Sequence, residues 1–242
     1  VKKLRFKDLI VFENDHYIGI NKPAGISSLH ERIGISESIF EAAKRYNEDF
    51  QLCHRLDKET SGILLISKHN DAYKNAAMQF EKRQVKKEYH AICDGVHNFD
   101  GVEIDLPLVT TRSGRSSINK QRGKESKTVF NSLEIFGNYT LVSCSPESGR
   151  LHQIRIHLAS QSAPITADEI YGGTQPYLSK IKRNFSMAKD DSETPMIARF
   201  ALHAHSLEFT GMDGAVIKIE ANYTKDFAVF LKLLRKYNKY QL

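Results

Sequence analysis

Apolar and polar residues alternate over Leu9 to Glu13 and again over Tyr17 to Ile20, with Asn14-Asp15 between them, which predicts a β-hairpin. A helix follows, capped by Ser36 or Ser38, with Ile39, Ala42, Ala43 and Tyr46 on one face. A short apolar run ends at Cys53, and the continuous run from Ile63 to Ser67 reads as a buried strand. Helical spacing predicts a second helix from Asn70 or Asp71 through about Arg83, with Ala72, Ala76, Met78 and Phe80 buried. Glu88 to Cys93, Val129 to Ile135 and Tyr139 to Cys144 read as strands. Leu151, Ile154 and Leu158 form one stripe of a helix over Leu151 to Ser160, after which a polar excursion runs from about Thr174 to Pro195. Phe200 to Phe209 alternates like a strand, Val216 to Glu220 pairs with it, and Lys225 to Tyr237 is an amphipathic helix. Strands dominate the middle with helices interspersed, and neither a repeat nor a linker breaks the chain, so the expected class is α+β.

Composition narrows the partners. The chain has 242 residues, ample for a buried core, and no apolar run reaches the ~20 residues that a membrane helix needs. No signal-peptide pattern opens it. Cys53, Cys93 and Cys144 are widely spaced in apolar contexts, as expected of reduced core cysteines in a cytoplasmic protein. A net charge of +6 favours an anionic partner. From Thr111 to Lys127 the basic residues Arg112, Arg115, Lys120, Arg122, Lys124 and Lys127 face the single acid Glu125 in a Ser/Gly-rich frame. This reads as a flexible basic loop suited to a phosphate backbone, with Arg122, Lys124 and Lys127 as substrate-binding candidates. Lys180, Lys182 and Arg183 form a second, smaller basic cluster.

The candidate chemistry sits in His54-Arg55-Leu56-Asp57-Lys58-Glu59-Thr60-Ser61-Gly62-Ile63-Leu64-Leu65, which puts a carboxylate in a polar loop between two apolar runs. Arg55 and Lys58 flank Asp57, and cations favour the ionised form that a nucleophile requires. Taken alone, the same residues also suit an Asx-type turn. The histidines raise a metal-dependent hydrolase as a rival. However, His152 and His157 are five apart and His203 and His205 two apart, and neither is the spacing of a strong zinc motif.

The whole string closely resembles the H-R-L-D-x-x-T-S-G-L-L-L signature of the RluA-type RNA pseudouridine synthases, with Ile63 in place of a leucine. Four more motifs of that family follow in order. Asn21-Lys22-Pro23-Ala24-Gly25 resembles N-K-P-x-G, and Lys87-Glu88-Tyr89-His90-Ala91 resembles K-x-Y-x-A. Gly149 to Leu158 is similar to G-R-T-H-Q-I-R-V-H-L, and Ala201 to Leu207 to A-L-H-A-x-x-L. Leu151 stands where the family has Thr, and Ala167 where it has the first glycine of G-D-x-x-Y-G.

The resemblance implies a single catalytic domain over residues 1–242, with a long, mixed, mostly antiparallel sheet, flanking helices and a central cleft. The implied activity is isomerisation of uridines in structured RNA, rRNA or tRNA, by a monomer without cofactor or metal. No S4-type RNA-binding domain is expected ahead of Asn21. The implied catalytic residues are Asp57 as nucleophile, Arg155 as its basic partner and Tyr89 as the aromatic group beside the base. Ile156 supplies an apolar wall, while His54, Arg55 and Thr60 complete the loop and its substrate contacts. Whether Asp57 attacks C1′, attacks C6 or abstracts a 2′ proton stays open. The remaining rival is a catalytically silent RNA-binding module of the same fold.

Overall fold

The computed structural model describes residues 4–30, 36–111, 114–187 and 191–240. The chain runs through β1 (Ile10–Glu13), β2 (Tyr17–Lys22), α1 (Ile39–Tyr46), β3 (Gln51–Leu52), β4 (Ser61–Ser67), α2 (Asn70–Glu81) and β5 (Lys86–Asp94). It continues through β6 (Val102–Asp105), β7 (Leu108–Thr110), β8 (Ser116–Ile118), β9 (Lys127–Ile135), β10 (Tyr139–Pro146) and α3 (Gln153–Ser160). Next come β11 (Leu202–Thr210), β12 (Val216–Glu220) and α4 (Lys225–Tyr237). The class is α+β, as the residue pattern predicts. Two compact units emerge: residues 1–89 with 203–222, and residues 90–202 with 223–242.

In the first unit the strand order is β1-β2-β4-β11, with β3 also on β4 and β12 on β11. Every pairing there is antiparallel except the parallel one between β4 and β11. Strand β4 is buried throughout because its two faces serve two cores. Leu64 and Ile66 pack with Ile18, Ile20 and the Ile39/Ala42/Ala43 face of α1. Ile63 and Leu65 pack with Tyr17, Ala72 and Ala76 of α2, and Leu207 and Phe209 of β11. A strand covered on both faces loses its alternation, which is why this segment reads as one apolar run.

Ser38 is the cap of α1: its hydroxyl accepts from the Glu41 N–H, and the Glu41 carboxylate accepts from the Ser38 N–H. His69 caps α2 through Nδ1. Met78, expected inside, is 46% exposed, and the buried residue of that turn is Gln79. The Gln79 side-chain amide donates to the Thr210 carbonyl and accepts from the Thr210 N–H, both at 2.8 Å, so it completes the end of β11 as a strand neighbour would. A hydropathy pattern scores such a glutamine as exposed.

In the second unit β10, β9 and β6 pair antiparallel in that order, and β7 and β8 form a separate hairpin. The segment from Thr111 to Lys127, expected to be flexible, is ordered over its described residues. Part of it is β8, Asn119 Oδ1 accepts from the Gln121 and Arg122 N–H groups, and Lys124 exchanges two backbone hydrogen bonds with Leu108. Arg112 lies outside the described residues. Helix α3 begins after Leu151 and is buried all round from Gln153 to Leu158, not along one stripe. Its polar residues are satisfied: Gln153 accepts from the Ser148 hydroxyl and donates to the Lys127 carbonyl, and His157 meets Thr128 at 2.9 Å. Helix α4 buries Phe227, Phe230, Leu231 and Leu234. Among the described residues no helix is long and apolar enough to cross a membrane.

Candidate active site

Asp57 lies in the loop between β3 and β4, partly buried, and its carbonyl accepts from the Thr60 N–H at 3.1 Å to close a tight turn. Both of its neighbours are pinned through the backbone. On one side Leu56 is buried; its N–H donates to Ser28 Oγ at 3.0 Å and its carbonyl accepts from the Ser28 hydroxyl at 2.8 Å. On the other side the Lys58 carbonyl accepts from Lys22 Nζ at 2.9 Å and from the Gly25 N–H at 3.0 Å. Lys22 itself is fully buried, and its ammonium also donates to the carbonyls of Pro23 and Ile26 at 3.0 and 2.8 Å. The loop is therefore irregular but tethered at several points. Sequence reasoning recorded the Asn21 to Gly25 motif without giving Lys22 a task, and it missed Ser28. A lysine at the end of an apolar strand was the available signal for the first, and nothing local marked the second.

The end of the loop is fixed by close approach of two strands. Gly62 has φ +111°, and a Cβ there would stand 2.1 Å from the Ala204 carbonyl oxygen, so only glycine fits where β4 meets β11. Next to it the Ser61 hydroxyl meets His203 Nδ1 at 2.9 Å, and His203 Nε2 lies 3.2 Å from the Ala221 carbonyl. Both nitrogens of that histidine thus serve strand packing.

His54 braces the loop. Its Nε2 accepts from the Leu65 N–H at 3.0 Å and its ring stacks on Phe80 at 4.8 Å. Burial first, and the charge of Lys87 second, push its pKa down to about 3, so it stays neutral with Nε2 as acceptor. Tyr89 on β5 is partly buried and packs against the core cluster to which Leu56 belongs. Burial, reinforced by the Asp57 carboxylate, raises its phenol well above the ordinary range. The structure thus brings Asp57 and Tyr89 within electrostatic reach of each other, and Tyr89 remains a neutral hydrogen-bond donor with a ring available for stacking. Arg55 and Lys58 are exposed on the same loop, and Thr60 is buried. Asp57, His54, Arg55, Thr60 and Tyr89 all belong to the first unit.

Arg155, Ile156, Arg122, Lys124 and Lys127 belong to the second. Arg155 is 3% exposed on α3, with Nε and Nη2 donating to the two oxygens of Asp168 at 2.6 and 2.7 Å. The rings of Phe200 and Tyr171 lie 4.2 and 4.9 Å from its guanidinium carbon. Asp168 follows Ala167, which holds φ +63°, a left-handed conformation usual for the glycine it replaces. Ile156 is buried. Arg122 and Lys124 are exposed, as are Arg115 and Lys120, and no ion pair among the described residues involves any of these four. Lys127 differs: its ammonium pairs with Glu103 at 3.0 Å and Glu147 at 3.3 Å, so its charge is already compensated.

An α+β scaffold that presents an anchored loop carboxylate within electrostatic reach of a partly buried tyrosine defines a class, and comparison with known proteins identifies it. The family model described as RNA pseudouridylate synthase matches residues 16–160. The chain is 33% identical to ribosomal large subunit pseudouridine synthase C of Salmonella typhi over 94% of its own length and 70% of that protein's. It is 34% identical to ribosomal large subunit pseudouridine synthase D of Nitrosomonas europaea over 93% and 65%. The solved structure of human RNA pseudouridylate synthase domain containing 4 shares the fold, with a TM-score of 0.70 at 24% identity over 95% of each chain. The chain belongs to the RNA pseudouridylate synthase family. It is an isomerase that converts uridine in RNA to pseudouridine.

Proposed function

We propose that the chain modifies uridines of ribosomal large-subunit RNA, with Asp57 as the nucleophile. The observation that carries this reading is the anchoring of the Asp57 loop: Ser28 and Lys22 hold the main chain of the residues on both sides of the carboxylate, which fixes where the carboxylate is presented. The choice of large-subunit RNA rests on the names of the relatives from Salmonella typhi and Nitrosomonas europaea. The reaction breaks the bond from N1 to C1′, turns the base, joins C5 to C1′ and releases the C5 proton. Detaching a base calls for a poised carboxylate and a pocket that retains the free uracil. Tyr89, kept neutral by burial and by Asp57, serves as the ring on which the base stacks. Arg155 serves as the essential cation, because a buried guanidinium already aligned by a carboxylate spends little on reorganisation during the reaction.

A uridine must leave its stack to reach such a loop, at a cost of about a few kcal/mol, so looped-out uridines are favoured. The exposed cations Arg115, Lys120, Arg122 and Lys124 supply backbone contacts that carry no base information. We place the enzyme in the cytoplasm, as a monomer that needs no metal. The test is mapping of pseudouridines in ribosomal and transfer RNA from cells with and without the protein. Sites in large-subunit RNA should vanish on deletion, return with the wild-type chain and stay absent with Asp57→Asn. Loss confined to transfer RNA would overturn the assignment of the target.

A further inference from the structure

The setting of Arg155 extends beyond Asp168. Tyr171 closes the short turn Glu169–Tyr171, and its N–H donates to the Asp168 carbonyl at 3.0 Å, so tyrosine and carboxylate ride on one rigid turn. The Tyr171 hydroxyl then meets three groups: His152 Nδ1 at 2.8 Å, and both the N–H and the carbonyl of Ser116 at 3.2 Å. A phenol satisfies all three when it accepts from His152 Nδ1–H and the Ser116 N–H and donates to the Ser116 carbonyl. His152 is the left-handed residue (φ +57°) that opens α3, three positions before Arg155. Ser116 is the first residue of β8, paired with Thr110 at the turn end of the hairpin and next to Arg115. One hydroxyl therefore joins the turn end of a basic hairpin to the helix that carries Arg155, while the ring of the same residue lies over the guanidinium.

We propose that Tyr171 is a positioning residue that sets the guanidinium of Arg155 according to the seating of the β7–β8 hairpin. This rests on the reading of Arg155 as the essential cation of the reaction. Asp168 fixes the plane of the guanidinium through two parallel bonds, and Tyr171 fixes where that plane lies. A hairpin drawn toward a phosphate backbone shifts Ser116, and the shift passes through the hydroxyl to the ring. RNA contact at the hairpin is thereby reported to Arg155 without any residue of the hairpin entering the reaction.

The test is a double-mutant cycle read as single-turnover rate at saturating RNA, with RNA affinity and thermal melting measured alongside. Tyr171→Phe keeps the ring and removes the hydroxyl. It should slow turnover about 3- to 10-fold, the equivalent of one or two neutral hydrogen bonds, with affinity changed less than about twofold. His152→Asn, which suits a left-handed position, attacks the same hydroxyl from the other side and should slow turnover in the same direction. In an Arg155→Lys background both changes should have almost no further effect, because the fork they position is gone. Rate losses that multiply undiminished in that background would overturn the proposal, as would a wild-type rate for Tyr171→Phe. If Arg155→Lys alone turned over like wild type, the reading of Arg155 itself would fail, a result distinguishable from the other two.

Discussion

Lys22→Met isolates the tether under Asp57, because methionine keeps the length of the stem and removes only the ammonium. At least three bonds to partly buried carbonyls disappear, those to Pro23, Ile26 and Lys58. Charge-assisted bonds contribute about 1.5–3 kcal/mol each, so the gross loss is about 5–9 kcal/mol. Against this, the variant no longer buries a charge, which recovers several kcal/mol. A net destabilisation of about 3 kcal/mol follows, or a fall in Tm of about 6–12 °C for a chain of this size. The Lys58 carbonyl retains the Gly25 N–H but loses its cation, so the residue after Asp57 gains freedom. Turnover measured below the new melting point should fall at least about tenfold, since small misplacements of a reacting group cost that much or more. Tritium release from RNA labelled at uridine C5, measured beside a thermal melt, reads both quantities. A variant that melts within about 1 °C of wild type and reacts at the wild-type rate would refute the argument that Lys22 holds the loop.

Three further outcomes are expected. His54 stays neutral in the fold down to about pH 3, whereas an unfolded imidazole protonates near 6.5, so unfolding takes up a proton between those values. Stability therefore declines as the pH is lowered across that window, by up to about 1.4 kcal/mol per unit, and His54→Gln, which keeps an acceptor for the Leu65 N–H, should flatten the slope in denaturant melts between pH 6 and 4. Ala167→Gly relieves a left-handed alanine and should raise stability by up to about 1 kcal/mol by the same measurement, partly offset by the freedom glycine has when unfolded. Replacing Lys120, Arg122 and Lys124 by Ser should flatten the log–log salt dependence of RNA binding by up to about 2 at ~0.7 per contact, whereas Lys127→Ser, already paired with Glu103 and Glu147, should change it little.

The sequence made the frame legible where one force dominates. Strand β4 is readable as one continuous apolar run because both its faces are buried, and the helix of Ala72 and Ala76 because burial at helical spacing leaves an apolar stripe. The Asp57 loop was legible through its string of residue types, and Gly62 has a physical reason in the approach of Ala204. What stayed hidden were polar residues working inside. Gln79, Gln153 and Lys22 are buried because their hydrogen bonds are complete, and completeness depends on partners distant in the chain. Strands β6, β7 and β8 are short and hold their places by pairing, so the segment around them reads as an unstructured run of charge. Lys127 counted as a free cation for the same reason: Glu103 and Glu147 lie 24 and 20 positions away.

The central claim is that the Asp57 carboxylate attacks. Asp57→Asn is nearly isosteric, so the loop held by Ser28 and Lys22 should keep its shape while the nucleophile becomes an amide. The most direct measurement is single-turnover tritium release by the purified variant on RNA labelled at uridine C5, with RNA affinity and melting temperature taken on the same preparation. The expected result is no release above background, with affinity and melting close to wild type. Substantial release by a folded, RNA-bound Asp57→Asn enzyme would contradict the account and move the nucleophile elsewhere.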